Sequence, residues 1–172
     1  VAGARVGQAI IGAVLTALLF ALGRRWKGPR VGLVAAGLAA VDFRLIVESG
    51  SIYTESLLST LLMLSLWLYV LSLERGRMHW WVLTGVVIGV AALTRGVVQL
   101  LPLALLAHLG AQRTGRGIWR GWGWLLAGFM LVVSPWMMRN WLLFGSPMIS
   151  HGGAAHFWMG ARGEGRSLRK DE

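Results

Sequence analysis

SGSIYTESLLSTLLMLSLWLYV, residues 49–70, decides the fold. A polar start gives way at Leu57 to an apolar run that continues to Leu73 and is broken only by small hydroxyl residues. A helix crossing a hydrocarbon core of about 30 Å needs on the order of 17 to 25 residues, and this run just reaches across. Five further runs share its character: Val6–Leu22, Val31–Val47, Trp81–Leu93, Val97–Leu109 and Trp122–Met138. The pattern predicts an all-α, polytopic membrane bundle of about six transmembrane helices. Two of them, Trp81–Leu93 and Val97–Leu109, are short, each about 20 Å long at 1.5 Å per residue.

Composition agrees by a separate route. The chain is 56% hydrophobic and 14% charged, where soluble domains carry about 25% charged residues. The net charge of +10 does not imply a nucleic-acid partner, because the bases sit in loops and no basic stretch is interleaved with aromatics on an exposed face. With no cysteine, a disulfide framework and a thiolate metal site are excluded.

The loop bases instead predict orientation. Arg24, Arg25, Lys27 and Arg30, then Arg75 and Arg77, then Arg113, Arg116 and Arg120 fall in alternate connectors, whereas the intervening ones hold only Arg95. The positive-inside bias makes the first set cytoplasmic and the second extracytoplasmic. One membrane domain is expected over 1–141, with the start of an extracytoplasmic loop or domain over 142–172. An opening Val1 and the closing charged string Arg169 to Glu172 read as the ends of a fragment.

Tryptophans at 26, 80, 81, 119, 122, 124, 136 and 141 fall near span ends, where indole favours the interface. Gly85 and Gly89 stand one turn apart and permit close helix packing. Pro102 and Pro135 are expected to bend their helices, since each removes a backbone donor.

Ionisable groups at membrane depth are costly and usually face a cavity or each other. Asp42, Arg44, Glu48, Glu55, Arg95 and Arg139 all fall at expected outer ends of spans. Arg44 and Glu48 would share a face of a continuous helix, and the plain alternative to a site there is an interfacial salt bridge. Asp42 either faces elsewhere or marks a helix break. Glu55, at the start of its helix, also suits the positive end of the dipole. Arg95 joins the two short runs, so its turn can lie below the membrane surface. It then needs an anion, and Glu48, Glu55 or a lipid phosphate are the candidates. Snorkelling to headgroups is the plain alternative.

Taken in order, the Gly-Arg-Arg loop at 23–25, the acid of YTE at 53–55, the ERGR connector at 74–77, Leu-Thr-Arg at 93–95 after a Gly-rich helix, PWMMRN at 135–140 and ISHGGAAHFWMG at 149–160 form a series. It resembles the C-type (GT-C) membrane glycosyltransferases, near bacterial relatives of the dolichyl-phosphate-mannose protein mannosyltransferases and of the aminoarabinose transferase that modifies lipid A. The resemblance implies transfer of a sugar from a polyprenyl-phosphate carrier to an extracytoplasmic protein, lipid or glycan acceptor by inverting displacement, in the cytoplasmic membrane, with no further cofactor. It places the catalytic base, an Asp of the first extracytoplasmic loop, upstream of Val1, with Glu55 and Asp42 as supporting candidates. Arg95, Glu48, Arg44, Tyr53 and Arg139 are the expected substrate contacts. His151 and His156, five apart in a Gly-rich segment, are a weak metal signal, and no metal is expected. The competing class is a multi-pass transporter with an outer-facing charged cluster; transport predicts polar residues near mid-span, and here they gather at one face.

Overall fold

A computed structural model describes residues 2–43, 45, 54–111 and 116–149. They form six α-helices and one 3-10 turn: α1 (Ala2–Lys27), α2 (Pro29–Val41), α3 (Thr54–Arg75), α4 (Met78–Thr94), the 3-10 turn Gly96–Leu100, α5 (Leu101–Ala111) and α6 (Arg116–Phe144). No strand occurs among the described residues. The all-α bundle expected from the apolar runs is what the chain forms. Three helices are long and apolar enough to cross a membrane, and three are shorter.

The helices pack as a row, α2 on α1, α1 on α3, α3 on α4 and α4 on α6, with α5 and its 3-10 turn set against α4 and α6. Connectors at one end are tight because glycine closes them. Gly28 (φ 94°) and Gly76 (φ 61°) occupy the left-handed region, where a Cβ would be strained. Each returns its N–H to a carbonyl four residues back, Arg24 and Ser72, and so ends its helix. Pro29 then opens α2, where its missing N–H costs nothing.

The core lies among α3, α4, α5 and α6 and includes Ile88, Leu105, Leu109, Leu125, Phe129 and Val133. The α4–α6 contact is the closest, and glycines on both helices make it so. A Cβ on Gly85 would fall onto the Leu125 carbonyl, one on Gly128 onto the Val82 carbonyl, and one on Gly89 within 2.9 Å of Val132 Cβ. Backbones this near gain dispersion and need no large side chain between them, the usual device of membrane helices. Pairing rises together along both chains, from Trp81 with Gly121 to Gly89 with Val132, so α4 and α6 run parallel and α5 returns between them.

Hydroxyls inside the apolar runs are satisfied locally. Ser72 donates to the Leu68 carbonyl at 2.7 Å and meets the Thr84 hydroxyl at 3.2 Å, and Thr84 donates to the Trp80 carbonyl at 2.8 Å. Where lipid supplies no partner, such bonds are obligatory.

Four local expectations need correction. The run Val31–Val47 is not one span, because α2 ends at Val41 and Asp42 is extended (φ −67°, ψ 115°). Pro102 does not bend a helix; it is the second residue of α5, directly after the 3-10 turn, where its missing donor is tolerated. Trp81 is no interface anchor: it is 2% exposed, edge-on to Tyr69 with centroids 5.9 Å apart. Trp122 likewise turns inward and donates its indole N–H to the Pro102 carbonyl at 3.0 Å. Pro135 does lie inside α6, as expected.

Candidate functional site

Glu55 is the second residue of α3, so its carboxylate meets the positive end of the helix dipole. The Thr54 hydroxyl lies 3.5 Å from its Oε2. From the next residue on, α3 is fastened to α1: the Ser56 hydroxyl donates to Gln8 Oε1 at 2.6 Å, and the Thr60 hydroxyl lies 3.3 Å from the Ile11 carbonyl. The site's acid therefore stands on a helix whose position is fixed by polar contacts inside an apolar interface.

Arg95 caps α4 in an extended conformation (φ −148°, ψ 114°). Its N–H donates to the Ala91 carbonyl and its own carbonyl accepts from the Val98 N–H, both at 3.0 Å. The backbone is thus held between α4 and the 3-10 turn while the side chain projects, 61% exposed. Arg95 NH1 lies 3.8 Å from Glu55 Oε1, whose side chain is 39% exposed. At the Gly76 connector α3 ends and α4 begins, so their lengths can be compared from that point. At 1.5 Å per residue α3 extends about 33 Å and α4 about 26 Å, so the Arg95 backbone stops short of the tip of α3.

The remaining sequence candidates divide. Asp42 ends α2, and its Oδ1 accepts from the Leu45 N–H at 3.0 Å, the bond of a helix-start cap. It marks the break in the second run. Arg44, Glu48 and Tyr53 lie outside the described residues, as do His151 and His156. Arg139 does not join the Glu55–Arg95 ion pair in any described contact. Its guanidinium sits over the Trp136 ring at 5.0 Å, and NH1 lies 3.4 Å from Asn140 Oδ1. That end of α6 is a built corner: Asn140 donates to the Met148 carbonyl at 2.7 Å and Trp136 to the Ile149 carbonyl at 3.2 Å, so the chain beyond Gly145 folds back on the helix.

Among the described residues no three His, Cys, Asp or Glu stand close enough to hold a metal ion. The described acids, Asp42, Glu55 and Glu74, all lie at helix ends.

Ser56 and Asn140 stand just outside their runs and were quoted only within longer segments, and Gln8 escaped the sequence reading although a polar residue inside an apolar run was the available signal. So did the second ion pair, Arg25 Nε to Glu74 Oε2 at 3.6 Å, at the opposite end of α3. Also missed was Tyr69, whose hydroxyl lies 2.8 Å from His108 Nδ1.

The sequence profile of the dolichyl-phosphate-mannose-protein mannosyltransferase family matches residues 2–139, from the first turn of α1 to Arg139. The chain belongs to this family. No curated protein and no solved structure matches it. The dolichyl-phosphate-mannose-protein mannosyltransferase family is one of membrane glycosyltransferases, and with its apolar helices the chain is an integral membrane protein of that kind. The family match takes in both members of the Glu55–Arg95 pair and both members of the Arg25–Glu74 pair.

Proposed function

We propose that the chain contributes to transfer of a sugar from a polyprenyl-phosphate carrier to a hydroxyl acceptor at the extracytoplasmic face of the cytoplasmic membrane, and that Arg95 holds the carrier phosphate. The observation that carries this reading is the state of Arg95. Its backbone is fixed by two hydrogen bonds, its side chain is exposed, and its one described acid partner stands at 3.8 Å. That distance exceeds the 2.7–2.9 Å typical of a charge-assisted hydrogen bond. Most of the guanidinium fork is therefore open to a second anion. Membership of the family supports a lipid-linked donor, and the concentration of loop bases at the opposite end supports an outward-facing Arg95.

In this reading the acceptor oxygen attacks the anomeric carbon from the face opposite the phosphate. The glycosidic C–O bond breaks, the bonding pair leaves on the phosphate oxygen, and configuration inverts. Charge accumulates on the departing polyprenyl phosphate, where Arg95 stabilises it. A carboxylate takes the acceptor proton. The resemblance assigns that base to the first extracytoplasmic loop. Glu55 does not fit the role well, because it faces the guanidinium that it aligns; it is a positioning residue. Asp42 is engaged as a cap. No cofactor beyond the lipid-linked donor enters the scheme.

The test is transfer in proteoliposomes from a radiolabelled polyprenyl-phosphate sugar. Label should pass to the acceptor with release of polyprenyl phosphate. Equal transfer from a nucleotide sugar in vesicles lacking the carrier overturns the proposal.

A further inference from the structure

We propose that the cleft between α1 and α3 at the Arg25–Glu74 end binds one anionic phospholipid from the leaflet on that side. The cleft, about 430 Å³, is lined by Phe20, Ala21, Arg24, Arg25 and Trp67. It has the two-part chemistry of a phospholipid. Phe20, Ala21 and Trp67 give an apolar wall, and Trp67 lies two helical turns before Glu74, about 10 Å deeper along the axis of α3. The arginines stand at its rim. A second cleft of about 300 Å³, walled by Leu66, Tyr69 and Val70, adjoins across Arg25 and offers room for a second chain.

The charges favour an anionic headgroup. Arg25 is neutralised by Glu74 at 3.6 Å and lies over the Trp67 ring at 5.4 Å, so it is fixed as part of the wall. Arg24 has no acidic partner among the described residues, and Glu74 is the one described acid at this end. Lys27 and Arg30 add to the field. An unpaired guanidinium at the edge of a hydrocarbon layer takes a phosphate as its natural counter-ion, and basic clefts between helices on the positive side of a membrane protein suit anionic headgroups. A soluble phosphate would satisfy Arg24 and leave the apolar wall uncovered, whereas a phospholipid covers both. This site lies at the opposite end of α3 from Arg95 and does not depend on the proposed transfer.

The experiment is native mass spectrometry of the purified protein in detergent, titrated with phosphatidylglycerol or phosphatidylcholine of matched acyl chains. One phosphatidylglycerol should be retained at least about five-fold more tightly than phosphatidylcholine, the effect of roughly one well-placed arginine. Arg24→Gln should remove that preference. Ala21→Leu, which fills the cleft and leaves every charge, should weaken phosphatidylglycerol and reads the site even if Arg24→Gln disturbs folding. Lys27→Gln, outside the cleft, should leave most of the preference in place, since it contributes only to the field. Equal retention of the two lipids by the parent overturns the proposal. So does a loss with Lys27→Gln as large as with Arg24→Gln, which would mean loose attraction to the loop. Displacement of the lipid by millimolar inorganic phosphate would reassign the site to a free anion and also overturns it.

Discussion

Glu55 and Glu74 sit at opposite ends of α3, about 29 Å apart along the axis at 1.5 Å per residue, and each closes an ion pair onto a different neighbour, Arg95 beyond α4 and Arg25 on α1. The separation nearly equals the hydrocarbon thickness of about 30 Å. The reach of α3 thus matches a bilayer core, with one acid at each end. Both pairs are partly exposed, and pairs of that kind are worth only about 0 to 1 kcal/mol. Their value lies in fixing α1 and α4 against the two ends of α3 and in setting the two arginines at opposite faces.

That placement makes a topology prediction. Single cysteines at Lys27 and Met78 should resist an impermeant thiol reagent in intact cells, whereas those at Thr54 and Met148 should react. Gly28 is a poor probe position because its φ of 94° would strain any other residue. Labelling at Lys27 with protection at Thr54 would invert the orientation and remove Arg95 from the extracytoplasmic face.

The α4–α6 contact predicts a graded glycine series. Gly85→Ala drives a Cβ into the Leu125 carbonyl, and since backbone must move, a loss of about 1 to 3 kcal/mol is expected. Gly123→Ala, on the same helix pair, meets nothing within 4 Å. There the alanine should be neutral or stabilising by about 0.5 to 1 kcal/mol, because glycine is the poorer helix former. Thermal unfolding of the detergent-solubilised protein separates the two. Equal losses would mean that close packing is not what Gly85 supplies.

The apolar runs made the helices legible, and GVVIG made a close helix contact legible at Gly85 and Gly89 without saying which helix fills it; the partner, α6, is seen only in the fold. Asp42 was legible only as a choice between facing elsewhere and breaking its helix; its bond to Leu45 decides for the break. Glu55 and Arg95 were each visible as charges at span ends. That they pair was read only as one of three choices for Arg95, beside Glu48 and a lipid phosphate, because the contact joins α3 to the end of α4 across 40 residues of sequence and depends on how far each helix rises. Trp81 was misplaced for a related reason. Its position near a span end suits an interface, but the glycine at 121 opens a slot that only the folded neighbour reveals.

Beneath Glu55, the Ser56–Gln8 bond at 2.6 Å predicts a measurable coupling between α1 and α3. Interhelical hydrogen bonds in membranes average about 0.6 kcal/mol and reach about 1.7. A double-mutant cycle of Gln8→Leu and Ser56→Ala should fall in that range by unfolding in bicelles. Strict additivity would show that the Ser56–Gln8 bond adds nothing to the hold of α3 on α1.

The decisive functional prediction concerns the charge on Arg95 and its alignment by Glu55. If the guanidinium holds the carrier phosphate, Arg95→Met should lower kcat/KM for the lipid-linked donor by roughly 10-fold to 150-fold, the equivalent of a charge-assisted contact of about 1.5 to 3 kcal/mol. The KM for acceptor should stay near the parent value, because the acceptor does not meet this group. Arg95→Lys should recover part of the loss, since a cation remains although the planar fork is gone. Glu55→Gln should cost less, about 1.4-fold to 5-fold, in keeping with a partly exposed pair worth about 0.2 to 1 kcal/mol. Because Glu55 acts through Arg95, adding Glu55→Gln to Arg95→Met should cost nothing further. A full additional loss in the double variant would mean that Glu55 touches the reactants itself. Donor kinetics unchanged in Arg95→Met, with normal accumulation in the membrane, would remove the phosphate role from Arg95. If Arg95→Met instead fails to accumulate and Glu55→Gln restores it, the pair is structural, for then the harm comes from the unmatched carboxylate at the head of α3.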